Sequence, residues 1–284
     1  MIKVIKMDIY RLTKATSFKV CLIIVFLLNL ISGPAEKLLF NLAKALVGED
    51  SEAGKELGSF IFNYHLGNTI AAPLGAITTV ILLLCIVWFS SADISHGYIK
   101  NIAGQLPSRG HTIVSKFVAS QATIIIFIAA AIIGNCIGQL LIGRTFVMDM
   151  SYTGITSLSE PRTFPLYAAF GELAIKWILL TAICALILLF TTALGSNVIG
   201  TIVAVLSGAG LTGAAYAGIS AGINALLRLK EGHEFSLADY MPDSIYHSNI
   251  INSDDVVRAL IVGVVSVVLI MFFTVTLYNK KDIK

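Results

Sequence analysis

Four stretches of the chain carry the residue types that catalysis or ligand binding needs. Gly218-Ile219-Ser220-Ala221-Gly222 spells G-x-S-x-G, the turn that exposes a nucleophilic serine in hydrolases. That chemistry needs a strand-to-helix elbow with a base and an acid in reach, and here the motif lies inside an apolar run. Glu172 is the one carboxylate, and no histidine joins it, within the predicted spans. The same residues read better as Gly218-x-x-x-Gly222, small residues that let helix backbones approach closely, as do Gly134 and Gly138 one span pair earlier. Either pair could pack within one chain or between two.

Gly48-Glu49-Asp50-Ser51-Glu52-Ala53-Gly54-Lys55-Glu56 approaches a phosphate-binding loop but has five residues between its glycines where the motif has four. Glu56 replaces the Ser/Thr, and four carboxylates set the wrong field for an anion. No other stretch could cradle a nucleotide, so any ATP and Mg would be held by another subunit and this chain is not itself an enzyme. The five histidines show no ligand spacing and read as solvated loop residues, which leaves no metal site to expect. Cys21, Cys85, Cys136 and Cys184 each stand alone in a different apolar run and read as packing residues. Glu172 and Lys176, four apart, share a helix face and pair there; at a membrane edge such a pair could also line a path. Asn135, Gln139 and Asn224 read as interhelical glue.

The elements that must position these residues are membrane helices. Hydrophobic residues make up 56% of the 284 and charged ones 13%, about half the charged share of a soluble domain. About 20 apolar residues cross a bilayer. Uncharged runs of that length recur, and the pattern predicts spans near 17–32, 70–90, 117–142, 167–194, 198–227 and 259–277. Gly33-Pro34 is expected to stop the first, which reads as an uncleaved helix and not a signal peptide. From Trp177 to Leu227 no charge occurs, and the turn signal Gly195-Ser196-Asn197 divides that run into two spans. Residues 1–15 set Lys3, Lys6, Tyr10 and Arg11 among Ile2, Ile5, Ile9 and Leu12, the pattern of a helix lying in the membrane surface. The expected fold is thus an all-α membrane protein, one permease domain over 1–284 with six transmembrane helices and an N-terminal amphipathic helix.

Charge sets the expected orientation. Segments 1–19, 93–116 and 280–284 together hold 11 Lys/Arg and 3 Asp/Glu, which places them, with both termini, on the cytoplasmic side. Residues 228–257 then form an outer loop. The segment 93–116, a basic island between uncharged runs of 36 and 27 residues, becomes a cytoplasmic loop.

Within that island Asp93, Gly97, Lys100, Pro107-Ser108-Arg109 and Lys116 form an ordered series that resembles the first cytoplasmic loop of type-2 ABC exporter permeases. Asp93 departs from the usual Glu of that family. The ending Tyr278-Asn279-Lys280-Lys281-Asp282-Ile283 is similar to that of bacteriocin-immunity and antimicrobial-peptide permeases. The resemblance implies a transmembrane subunit in a bacterial cytoplasmic membrane, a permease homodimer with two separate ABC ATPase subunits. Gly97, Tyr98, Ile99, Lys100, Asn101, Ile102 and Arg109 would form the contact that couples it to the ATPase. Small permeases of this plan resemble exporters of amphipathic peptides such as phenol-soluble modulins, or pumps for lantibiotics and bacitracin-like antibiotics. The partners implied are the ATPase, a second permease, lipid and a peptide substrate, with no nucleic acid. Export of another amphiphile, a lipid-linked glycan or a drug, and a secondary transporter or channel without an ATPase are the alternatives.

Overall fold

A computed structural model describes residues 2–47, 63–95, 110–152, 162–227, 235–248 and 253–280. Helix α1 (Ile2–Lys14) is followed by α2 (Thr16–Val47), strand β1 (Asn63–His65), α3 (Leu66–Ala71), α4 (Ala76–Ser95) and α5 (Gly110–Leu141). Strands β2 (Thr145–Val147), β3 (Asp149–Tyr152) and β4 (Arg162–Pro165) lead into α6 (Leu166–Leu188), which continues as a π-helix over Leu189–Ala193. Then come α7 (Asn197–Ala209), α8 (Gly213–Leu227), a 3-10 turn (Leu237–Tyr240), α9 (Pro242–His247) and α10 (Ser253–Lys280). Five helical stretches are long and apolar enough to cross a membrane, or six if the bent pair α7 and α8 forms one span. This is the helical membrane architecture that the composition predicts, with two small additions: β1 pairs with β2 in parallel and β3 with β4 antiparallel.

Two predicted boundaries are corrected. Helix α2 does not stop at Gly33-Pro34 but runs on to Val47 with Pro34 inside it. Proline in a helix withholds one N–H from the carbonyl four residues earlier, here Leu30. That carbonyl faces Gly138 of α5, where the missing side chain lets the two backbones close up. A Cα–H···O contact is the interaction such an approach permits. The second correction concerns the span expected over 198–227. It breaks into α7 and α8, which meet at 91°. Gly210 ends α7 in the left-handed conformation, φ 70°, and the amide N–H of Leu211 reaches back to the Leu206 carbonyl at 3.0 Å. This 6→1 bond after a left-handed glycine satisfies the last carbonyls and turns the chain out of the helix axis.

By internal packing the chain divides into two compact units. One comprises Met1–Cys21, Ala76–Ile125 and Ile175–Lys284, the other Leu22–Gly75 and Ile126–Ala174. In the first unit α4 lies against α7, with Gly208 so close to Val80 that a Cβ there would stand 2.9 Å from backbone. Leu82, Leu83 and Ile86 of α4 are fully buried, whereas α10 leaves Val268, Phe272 and Phe273 exposed, as a face against lipid would be. Asp254 and Asp255 in the first turn of α10 and Lys280 in its last complement the helix dipole. In the second unit Ile70, Ala71, Met150 and Ala169 form a small core under the β3–β4 pair.

Candidate functional site

Helix α1 buries Asp8 and Leu12, four apart, and leaves Lys3, Lys6 and Tyr10 exposed, while Arg11 is half-buried. The Lys14 ammonium sits over the Tyr10 ring, 5.7 Å from its centroid. The buried carboxylate of Asp8 accepts a hydrogen bond from the Ser115 hydroxyl of α5 and lies 3.7 Å from the Arg11 guanidinium. The basic residues of α1 mark a surface helix, and the inward-facing Asp8 is an addition to that pattern. Its signal was there: one acidic residue at the helix spacing of Leu12, where the apolar stripe should continue.

One residue after Ser115, Lys116 is 1% exposed. Its ammonium donates to the Ser90 carbonyl of α4 at 3.2 Å and lies 5.2 Å from the centre of the Phe89 ring. A cation under an aromatic face and against the carbonyls near a helix C-terminus is stabilised twice, by the ring quadrupole and the helix dipole. The Ser90 hydroxyl donates onward to Thr191 in the π-helix, at 3.0 Å. The start of α5 is held a third time, because the Gly110 N–H donates to the Asn279 side chain at 2.8 Å. Neighbouring Tyr278 is buried against Ile113 and Ala193. A side-chain acceptor on a first-turn N–H satisfies one of the donors that a helix start leaves open.

These contacts frame the island. The end of α4 and the beginning of α5 are joined through Lys116 and Ser90, and α1, the π-helix and α10 are fastened to the same frame. The candidate coupling residues Gly97, Tyr98, Ile99, Lys100, Asn101, Ile102 and Arg109 lie outside the described residues. Of the resemblance series, Lys116 is in the frame and Asp93 is on the last turns of α4.

The two small-residue pairs are placed differently. A Cβ on Gly134 would stand 2.7 Å from the Phe26 carbonyl oxygen of α2, and one on Gly138 would strike that of Leu30. Gly33 of α2 faces Gly138 in return, and a Cβ there would stand 2.9 Å from the Gly138 carbonyl carbon. A Cβ on Gly218 or Gly222 of α8 would meet nothing beyond its own helix within 4 Å. Around the first seam, Asn135 donates to Ser32 at 3.3 Å and accepts from the Tyr64 hydroxyl at 2.5 Å. Arg144, side chain 6% exposed, bridges Glu36 at 2.8 Å and Gln139 at 3.0 Å. Burial pushes the Tyr64 hydroxyl up to about 12, with a hydrogen bond from Thr69 opposing and the Glu36 charge adding to the rise. Glu172 and Lys176 are both buried near the start of α6.

Ser220 of the G-x-S-x-G run has its hydroxyl committed, donating to the Tyr216 carbonyl at 2.7 Å and accepting from the Leu237 N–H at 2.8 Å. Asn224 clasps both the N–H and the carbonyl of Phe235. Both side chains therefore fasten the 235–248 segment to α8. Two histidines expected in solvent also have partners: His65 with Asp149 at 2.5 Å and His247 with the Ser207 carbonyl at 2.8 Å. Among the described residues no group of three or more His, Cys, Asp or Glu could hold a metal. Comparison with protein-family models, with curated proteins and with solved structures finds no match to this chain.

Proposed function

We propose that this chain is the transmembrane subunit of an ATP-driven exporter in a bacterial cytoplasmic membrane, working as a homodimer with two ABC ATPase subunits and moving amphipathic or antimicrobial peptides outward. The observation that carries the reading is the frame around residues 96–109: both flanks of the island are fixed to one another and to α1 and α10 by buried polar contacts. An ATPase closing on ATP can move membrane helices only through a stiff attachment, and a buried lysine tying α4 to α5 supplies stiffness that a solvated loop lacks. ATP and Mg would sit in the ATPase. A secondary transporter needing no ATPase is the second reading, favoured by one observation, the buried Asp243 carboxylate in the 235–248 segment.

The decisive substitution is Tyr98→Ala together with Ile99→Ala. Aromatic anchors at an interface centre commonly contribute about 2 kcal/mol or more, while Lys100 and Arg109 at a rim would mostly steer assembly. Every Lys and Arg is retained, so insertion should survive, and co-purification of the partner ATPase should fall at least tenfold, the equivalent of about 1.4 kcal/mol. Full binding and ATP-dependent transport by the double variant would end the coupling assignment; transport without any ATPase would establish the second reading.

The orientation has its own check. With single cysteines at Ser108 and Ser236 in a cysteine-free chain, an impermeant thiol reagent applied to intact cells should label position 236 and spare 108. The reverse pattern would invert the topology.

A further inference from the structure

The 235–248 segment, expected as a solvated outer loop, packs back among the helices of its unit. Three residues of α8 at four-residue spacing, Tyr216, Ser220 and Asn224, bind it through Asp243, Leu237 and Phe235. Beneath it is a cavity of ≈ 230 Å³ whose walls include Ile183 and Leu186 of α6, Ser207 of α7, Tyr216 of α8, Asp243, and Ser266 of α10.

The depth of this cavity follows from the helices themselves. Ile183, Ser207 and Ile270 line it, and each stands ten residues from a helix end: Ala193, Asn197 and Lys280. The ends at Ala193 and Lys280 are level, since Ala193 packs against Tyr278. At 1.5 Å per residue the cavity lies about 15 Å along the apolar helices from those ends, well inside the lengths that could cross a membrane. Asp243 is 5% exposed there. Both of its oxygens share a single donor, the Tyr216 hydroxyl, at 3.0 Å each. A carboxylate has about four acceptor positions, so most of its capacity stays open. Among the described residues that line it there is no Lys or Arg. An ionisable group at membrane depth without a cation costs free energy that function has to justify.

We infer that this cavity binds a primary ammonium group on a short aliphatic stem, such as a lysine side chain or the amino terminus of an amphipathic peptide. The Asp243 carboxylate receives the ammonium, which donates up to three hydrogen bonds. Ser207 and Ser266 offer further oxygens, and the aromatic side chains of Tyr216 and Tyr240 stand in the same walls. Ala182, Ile183, Leu186 and Ile270 accept the methylenes. At about 30 Å³ per water, the volume equals some seven waters, room for a butylammonium but not for a whole peptide. A calcium or magnesium ion fits less well, because it takes six or more oxygen ligands and gains nothing from apolar walls.

The test needs no ATPase and is independent of the exporter reading. The purified full chain carries Ser266→Cys, with Cys21, Cys85, Cys136 and Cys184 changed to alanine, in phosphatidylcholine nanodiscs. It is labelled with cationic aminoethyl methanethiosulfonate and with the neutral methyl reagent. The preference for the cationic reagent should be about tenfold greater with Asp243 than with Asp243→Asn, the lower end of electrostatic focusing in a cleft. n-Butylammonium chloride should slow both reagents, and n-butanol should not. Should Asp243→Asn fail to fold, the butylammonium-against-butanol comparison in the chain that keeps Asp243 decides alone. Absence of protection, equal protection by butanol, or no labelling by either reagent would overturn the proposal. Protection by sodium chloride at the same concentration would overturn it in favour of an inorganic cation.

Discussion

Gly138→Leu should lower the stability of the purified chain by roughly 3 kcal/mol, the upper range of overpacking. The new side chain would run into the carbonyl of Leu30, and the obstacle is backbone, 3.1 and 3.3 Å away at the next nearest atoms. A flexible side chain could swing aside; a helix backbone can only retreat, taking the Asn135–Ser32 hydrogen bond and the Arg144–Glu36 pair with it. Gly222→Leu is the matched control, since open space surrounds that position. Its effect on the stability of the single chain should stay within about 0.5 kcal/mol. Thermal unfolding in detergent, with size-exclusion chromatography alongside, reads both. Equal tolerance at the two sites would disprove the seam. A Gly222→Leu chain that unfolds normally but elutes at half the size would instead place α8 between two copies.

The second large effect is expected at Lys116. Lys116→Met keeps most of the volume but removes the donor from the Ser90 carbonyl and the charge from under Phe89. A hydrogen bond from a charged group is worth about 1.5–3 kcal/mol, so a loss near 2 kcal/mol should appear in thermal unfolding. Function should suffer more than stability if α4 and α5 transmit motion together. In proteoliposomes with the ATPase, ATP hydrolysis should continue while its stimulation by transported peptide falls about tenfold, a coupling loss of roughly 1.4 kcal/mol. Stimulation at the level of the unmodified chain would show that the lysine serves packing alone.

Much of the architecture was legible because hydropathy over 20 residues is a sum, and sums survive local irregularity. The spans near 70–90, 117–142, 167–194 and 259–277 each fall on a helix or a joined pair. What escaped depends on single contacts. Pro34 reads as a stop in any local rule, and only the partner Gly138, more than 100 residues away, shows why the helix can continue. Gly210 has the same composition signal as Gly213 or Gly218, and nothing in an apolar run says which glycine takes the left-handed turn. Asp243 and Lys116 look like loop and edge charges because charge patterning assigns sides of a membrane and not depth. The two G-x-x-x-G pairs are equal as strings and unequal in space.

The π-helix Leu189–Ala193 closes with the Leu194 N–H on the Leu189 carbonyl, five residues back. Such a turn contains one residue more than an α-turn, so it acts on the helix as an insertion does. Each residue of an α-helix advances its face by about 100°. Upstream, Leu179, Ile183 and Ile187 face inward; within the π-turn itself, Thr191 meets Ser90. Cutting one residue ahead of Thr191 would turn the end of this helix by about 100° relative to α6, with composition and length almost unchanged. In genetic terms the segment is a place where a single-codon deletion acts as a rotation, re-aiming the hydroxyl-bearing turn without touching the helix that carries it.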